Sequence, residues 1–387
     1  MWVYSILQVI YSPIKAFQKI VKNPKYNGPI LIMALFIAAN VASVYISIPN
    51  VYVEQTLPSC SQKDAWTENS TLWTSNASQI TESEDHIQGT CYGNNSIEFF
   101  ISNTPVIRMQ LNLPEPVNCT GDGGYNNLSF RIKVASSRIN EWENAVLKVH
   151  SGDGNYYQYP LAEELTPIQM GVWHNLTVPL GSETSSWERS SDQADWENLT
   201  GIEFELKWTQ NNNATLRLDG LFFRGTYRSE VENAPSYILN SAISSFMQFT
   251  IRWITLGGII YLLTKAVGDR LVWRRLLIVL GFTLIPLVIQ VLVNTALYTT
   301  LPKLYYPLEY FTGNSAEFES ARAAILEQTQ FVSQISSYIQ IGISMWIIGL
   351  SAIALRSLKE YSWVKGISFS ISAYFASLLI ERLLLGY

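Results

Sequence analysis

Five stretches of about twenty mostly apolar residues constrain this chain more than anything else in it. They lie at 28–49 and at about 242–264, 276–299, 334–355 and 364–385. A helix rises about 1.5 Å per residue, so each stretch can cross a hydrocarbon core of about 30 Å. Core helices of a soluble protein seldom come as five such runs punctuated by basic residues. Charged residues make up 15% of the 387 residues, against about 25% in soluble domains. A wholly soluble enzyme and a disordered chain are both excluded by that composition. The net charge of −5 argues against a nucleic-acid partner.

The charge is unevenly placed. Residues 50–237 hold 24 acidic and 11 basic residues, while the rest holds 7 and 15. All three Cys, all three His and seven of the twelve Trp also lie in 50–237. A polar, acidic domain is therefore inserted into an apolar, basic one. Residues 1–27 carry Lys15, Lys19, Lys22 and Lys25 and no acid. The loop after the second run has Lys265, Arg270, Arg274 and Arg275, and the loop after the fourth has Arg356, Lys359 and Lys365. These segments alternate so as to share one side, the cytoplasm by the positive-inside rule. The other side receives 50–237, the loop near 300–333 and the C-terminus. The lipid bilayer is thus the first expected partner, and the plasma membrane the expected location.

The N-terminus lacks the charged n-region of a signal peptide. Ser12-Pro13 reads as an N-cap and first-turn proline. Ile14, Phe17, Ile20 and Val21 then share one helix face among lysines, the pattern of an interfacial amphipathic helix over 1–27.

Eight N-x-S/T acceptor sites fall within 50–237: Asn69, Asn76, Asn94, Asn118, Asn127, Asn175, Asn198 and Asn213. That is about twice the chance number and supports an exposed, glycosylated surface. Cys60, Cys91 and Cys119 permit one disulfide and leave one thiol, with the pairing open. No ligand pair has zinc spacing. Strand signals recur at 96–102, 106–113, 128–134, 145–151, 171–180, 199–208 and 214–225, with Gly152–Asn155 and Asn211–Asn213 as turns. Leu128, Phe130, Ile132 and Val134 alternate onto one face. The fold class expected is a multi-domain membrane protein: a five-helix transmembrane α bundle plus an extracellular all-β sandwich of jelly-roll type.

The string GVWHNLTVPL (171–180), then LTGIEF (199–204), then LRLDGLFF (216–223) resembles the closing half of galactose-binding-like jelly rolls, among which carbohydrate-binding modules are common. The resemblance covers about 55 residues. It implies that Asp219, the aspartate of the last strand, helps hold a structural calcium ion. Sugar recognition needs aromatic faces beside polar hydrogen-bonding groups. Trp66, Trp73, Trp142, Trp173, Trp187 and Trp196 supply the aromatics. Trp187 and Trp196 sit in Ser/Asp-rich sequence and are expected exposed, with Trp142 as a third candidate contact. Trp173 and Trp208, inside strands, are expected in the core. Glu163-Glu164 and Glu203/Glu205 could be cast as a hydrolase pair, but acids alternating along a strand mark its solvated side.

The apolar part has its own resemblance. Asn23-Pro24-Lys25-Tyr26-Asn27-Gly28-Pro29 precedes the first run, Gly281-Phe282-Thr283-Leu284-Ile285-Pro286 lies in the third, and Met345-Trp346-Ile347-Ile348-Gly349-Leu350 and Trp363-Val364-Lys365-Gly366 mark the fourth and the start of the fifth. Their order resembles the Yip-domain (Rab/Ypt-interacting protein) membrane family, in its prokaryotic and especially archaeal form. The match covers about 1–49 and 240–387, and the insertion of some 190 residues departs from it. Traffic with small GTPases, which the family implies, has no counterpart in these residues.

Ionisable residues inside the runs are few: Arg252, and Glu381 with Arg382 near the end of the fifth. Asn40, Gln290, Asn294 and Gln340 are the polar interior candidates and are expected to hydrogen-bond between helices. Pro286 is expected to kink the third run. Gly257-Gly258 and Gly342 are expected at close helix approaches. No H-E-x-x-H, G-x-S-x-G or phosphate-loop motif is present. Asn314 and Glu317 fit a capping box for a helix over 314–333. The function expected is recognition or scaffolding at the cell surface, without catalysis, through an ectodomain that binds a glycan or an envelope protein. A subunit of a membrane complex or a small-molecule permease is the alternative.

Overall fold

The computed structural model describes residues 2–121, 123–137, 142–152, 154–166, 168–269, 271–313 and 315–386. The chain begins with α1 (Trp2–Tyr11), α2 (Pro13–Lys22) and α3 (Asn27–Ser47). Next come β1 (Val51–Leu57), β2 (Trp73–Ser75), β3 (Gln79–Ser83), β4 (Ser96–Val117), β5 (Asn127–Ser137), β6 (Trp142–His150) and β7 (Tyr156–Pro160). The short α4 (Ala162–Leu165) precedes β8 (His174–Pro179), β9 (Glu188–Arg189) and β10 (Leu199–Ser229). Then follow α5 (Ala234–Ala266), α6 (Trp273–Phe282), α7 (Ile285–Tyr298), β11 (Leu304–Tyr306), α8 (Ser315–Lys359) and α9 (Trp363–Leu385). These elements form two compact units. The helical unit is Met1–Val51, Ser229–Leu304 and Leu326–Tyr387, and the β-rich unit is Tyr52–Arg228 with Tyr305–Ile325.

The β-rich unit is antiparallel and is organised by two long strands. The first part of β10 pairs with 106–117 of β4 on one side and with β6 on the other. β2 joins β4, β7 joins β6 and β9 joins β7. This is the front sheet. The second part of β10 pairs with 97–101 of β4 and with β5, flanked by β3 and β8. This is the back sheet. Phe204 of the front sheet packs edge-on against Phe130 of the back sheet, with centroids 4.8 Å apart, so the two sheets share one core. That core also takes Ile107, Met109, Leu147, Val149, Leu206 and Trp208 from the front and Ile97, Phe99, Ile132 and Leu218 from the back.

Two expectations about strands are corrected here. The segments 96–102 and 106–113 are one strand, bent where Asn103 takes φ 54°. Asn211–Asn213 do not reverse the chain. The register of β10 against β4 shifts between Lys207 and Ala214, opposite the bend in β4. Both strands bend at one level and pass together from front sheet to back. Sequence periodicity keeps its phase through such a bend, so the pattern alone resembles two strands and a turn. Of the other turn and loop residues singled out, Asp153, Arg270 and the capping Asn314 lie outside the described residues.

Within the helical unit five helical segments are long and apolar enough to cross a membrane, by length and composition. The third segment is the most enclosed and is broken into α6 and α7, with Pro286 in the first turn of α7. α1 precedes the expected amphipathic helix as a separate element. α2 starts on Pro13 as expected, although the Ser12 side chain makes no capping bond. The tightest backbone approaches are at Gly28, where a Cβ would lie 1.9 Å from the Phe282 ring, and at Gly281, where one would lie 2.6 Å from Pro29. Gly258 and Gly342 face open space instead. Two short motifs from distant parts of the sequence therefore interlock.

The polar residues of the helices also pair differently from expectation. Asn40 donates to Phe36 O of its own helix at 2.9 Å. Bonds between helices include Arg252 with Glu381 (2.7 and 2.8 Å), Gln248 with Glu381 (3.0 Å), Ser344 with Tyr374 (2.8 Å) and Trp253 with Leu277 O (2.8 Å). An isolated charge in an apolar bundle is costly, and a bidentate partner removes most of that cost. α9 is inside out by the standard of water. Ser370, Tyr374, Ser377 and Glu381 are buried, while Ile371, Phe375, Leu379 and Leu383 are exposed.

Candidate functional site

The outward face of the front sheet gathers a set of polar side chains. Strand register places Thr74, Gln110, Glu203, Lys148, Gln158 and Glu188 in one row across β2, β4, β10, β6, β7 and β9. Because side chains alternate at period two, the partners inside this row are core residues and the row itself faces out. The neighbouring row is Asn112, Gly201, His150 and Tyr156.

Lys148 is the hinge of the charge pattern. Its Nζ lies 2.8 Å from Glu205 and 3.4 Å from Glu203. Arg108 Nε reaches Glu205 at 3.0 Å, and His150 Nε2 lies 3.1 Å from Glu203. The His150 hydrogen bond, ahead of Lys148, holds the Glu203 carboxyl below its ordinary range. Burial would raise Glu205, but Lys148 and Arg108 outweigh it and hold that carboxyl low as well. The same two acids raise Lys148 against the effect of its partial burial. The face therefore carries fixed charges of both signs that nearly cancel. Neither carboxyl is kept protonated, so the pair lacks the acid that glycoside hydrolysis requires. The Tyr156 ring lies beside this network, 6.0 Å from the His150 ring and with the Lys148 Nζ 5.6 Å from its centroid.

The tryptophans expected to contact a ligand are placed elsewhere. Trp196 is 5% exposed and stacks on Tyr157 at 4.1 Å, which corrects its expected exposure. Polar neighbours in sequence gave a loop, but the loop folds its one large ring inward. Trp187 is half-buried, edge-on to Trp196 at 5.2 Å, with its Nε1 donating to Pro179 O at 2.7 Å. Trp142 is half-buried against Trp208 at 5.0 Å. Trp208 is core, as expected, whereas Trp173 is half-buried on the outer side of the back sheet and donates to Asp85 at 3.2 Å. Lys133, Arg217 and Trp173 converge on Asp85 there. Tyr156 and Gln158 were missed by sequence reasoning. The alternation of 156–160 was the available signal, masked by the turn cluster before it.

Asp219 is 1% exposed and Asp64 fully buried beside it. Burial, then the nearness of Asp64, pushes the Asp219 carboxyl up to about 9. Backbone N–H groups of Gly93, Gly220 and Ile87 point at these carboxyl oxygens, at 2.6 to 3.2 Å, and the Thr67 hydroxyl adds a contact at 3.4 Å. Calcium takes six to eight oxygen ligands. Two carboxylates and one hydroxyl ringed by N–H donors fit a shared proton better than they fit that ion. Among the described residues no group of three or more His, Cys, Asp or Glu is gathered for a metal.

The disulfide joins Cys60 and Cys91, and Cys119 is free and buried. Burial pushes the Cys119 thiol up to about 12, so it is unreactive at neutral pH. Asn69, Asn76, Asn94, Asn118, Asn175 and Asn198 are exposed, and Asn127 and Asn213 half-buried.

No family model and no curated protein matches the chain. Among solved structures, the chain is similar to the family 11 carbohydrate-binding module from Clostridium thermocellum in complex with a β-1,3-1,4-mixed-linked tetrasaccharide. Identity is 18%, over 44% of this chain and 94% of that one, with a TM-score of 0.28. A family 30 carbohydrate-binding module of a cellulosomal cellulase of the same organism is similar at 10% identity, over 41% and 87%, with a TM-score of 0.28. A β-1,2-glucanase from Parabacteroides distasonis is similar at 16% identity, over 41% of this chain and 24% of that enzyme, with a TM-score of 0.31.

Proposed function

We propose that the β-rich unit is a non-catalytic binding module for a neutral glycan, of the jelly-roll class, presented at a cell surface by a five-helix membrane bundle. The carrying observation is the outward row Gln110, Glu203, Lys148 and Gln158 with Tyr156 beside it. A sugar offers vicinal hydroxyls, each both donor and acceptor. Carboxylate, carboxamide and ammonium groups held at strand spacing complement such a pattern. A tyrosine ring complements the C–H face of a pyranose and leaves its hydroxyl free to hydrogen-bond. The near balance of charge favours a neutral ligand over a polyanion.

The membrane reading is supported by α9, whose apolar side chains point outward and whose polar ones point inward, the reverse of a surface helix in water. The lysine-rich segments support a cytoplasmic N-terminus. The interlock of Gly28 with Phe282 is in keeping with the Yip-domain resemblance, since it joins two of the motifs on which that resemblance rests. The test is a glycan array probed with the purified full-length protein in detergent, with mixed-linked β-glucan oligosaccharides included. Binding that falls at least about ten-fold in Tyr156→Ala and Glu203→Gln supports the reading. Binding that both variants retain, or no binding to any glycan, overturns it.

A further inference from the structure

A second region, in the helical unit, has the make-up of a binding site. We propose that a groove of about 430 Å³ between the ends of α3 and α7 and the 329–337 stretch of α8 holds the neutral, hydroxyl-bearing headgroup of a membrane lipid. It rests on the membrane reading above, is independent of the front-sheet reading and lies on different residues.

Charge is the first argument. Among the described residues no Asp, Glu, Lys, Arg or His lines the groove. Two helices end there, α3 at Ser47 and α7 at Tyr298. A phosphate would meet no cation among the lining side chains, whereas a neutral hydroxyl needs none.

Hydrogen-bonding capacity is the second. Ser47 and Ser337 donate their hydroxyl protons to Ser43 O and Ser333 O, both at 2.9 Å, which leaves only lone pairs facing the groove. The side chains of Asn50, Ser333 and Ser336 have no hydrogen-bond partner among the described residues. The site therefore wants several donors from its occupant, with one amide and two hydroxyls to answer them. A polyol headgroup has that chemistry. Leu301 and Val332 supply the apolar floor on which a glycerol and acyl stem would lie.

Depth is the third. α3 has 21 residues, so its length of about 31 Å matches one hydrocarbon core and leaves Asn50 just beyond it. Tyr45 and Tyr298 near these helix ends, and Phe331 and Tyr338 flanking the groove-lining stretch of α8, are all exposed, as aromatic residues of a membrane interface are.

The experiment is native mass spectrometry of the delipidated full-length protein in detergent, offered monogalactosyl diacylglycerol, phosphatidylcholine and phosphatidylglycerol in equal amounts. The galactolipid is expected to be retained at least about five-fold over either phospholipid, the worth of one or two hydrogen bonds. Ser336→Leu and Asn50→Leu are expected to abolish that preference with the melting temperature unchanged. Should either leucine variant fail to fold, Ser333→Ala, which only removes a hydroxyl, is expected to reduce it by about three-fold. Equal retention of all three lipids means adventitious annular binding and overturns the proposal. So does a preference that Ser333→Ala and the leucine variants leave intact. A preference lost in Tyr156→Ala instead would place the sugar on the front sheet, overturning this site while sparing the other.

Discussion

Arg224→Met should strongly destabilise the β-rich unit. From β10 the guanidinium donates to Glu54 of β1 at 2.9 and 2.7 Å and to Glu309 at 2.5 and 2.8 Å. The Glu54 oxygens also accept from the Gly225 and Leu308 backbone amides at 2.9 and 2.7 Å. One cation thus ties β1, β10 and the 305–325 segment together. The Glu54 side chain is 3% exposed and that of Glu309 is 24% exposed. Removing the arginine leaves two carboxylates, one of them with no access to water. Breaking a buried pair in this way costs about 3–5 kcal/mol. In a unit of about 200 residues each kcal/mol is worth about 3 °C, so the melting transition should fall by about 10 °C. Tryptophan fluorescence of the full-length protein reads it, since seven of twelve Trp lie in 50–237. Burial would raise the Glu309 carboxyl, but Arg224 outweighs it and holds that carboxyl below its ordinary range. The stability this gives is full above the ordinary carboxylate range and is lost as pH falls below it, so the deficit should narrow toward about pH 4. Replacing Glu54 and Glu309 by leucine in the same variant should recover much of the loss. A deficit below about 1 kcal/mol, or one independent of pH, refutes the reasoning.

Other consequences are as direct. Asp219→Asn mimics the protonated acid. The wild-type contribution is full below the ordinary carboxylate range and is lost as pH rises toward about 9. The variant should therefore gain on wild type by up to about 1.4 kcal/mol per pH unit across that window. Melts with calcium or with chelator should coincide; a calcium-dependent rise would overturn the shared proton and establish the ion. Gly28→Ala drives a Cβ to 1.9 Å from the Phe282 ring and should cost about 1–3 kcal/mol in a detergent melt. Phe282→Leu in the same chain should restore part of it, and a neutral Gly28→Ala would refute the interlock. Glu381→Gln should destabilise the helical unit more than Glu381→Leu combined with Arg252→Leu, because only the former leaves Arg252 without its ionised partner. The reverse order in a thermal melt would show that the pair itself is stabilising.

What the sequence made legible follows from which physical terms are local. The lengths of the apolar runs fixed five candidate spans because helix rise is constant. Alternation placed Leu128, Phe130 and Ile132 inward, and all three are buried, because the pleat has period two. Alternation also put Glu203 and Glu205 on the outer side, which is where they lie. It could not supply Lys148, which stands opposite Glu203 only through the β10–β6 register. Arg252 with Glu381, Asp64 with Asp219 and Arg224 with Glu54 each join residues more than a hundred positions apart. No periodicity carries such a pairing, and composition carries only its need: a lone charge in an apolar run must find a partner. Trp196 fails for the complementary reason. Its neighbours are polar, yet its ring meets Tyr157 and Trp187, and only the folded loop brings those rings together. The candidate site is thus half legible. Its charges were visible as a solvated face, while their order across six strands, which makes that face a site, is a property of the sheet.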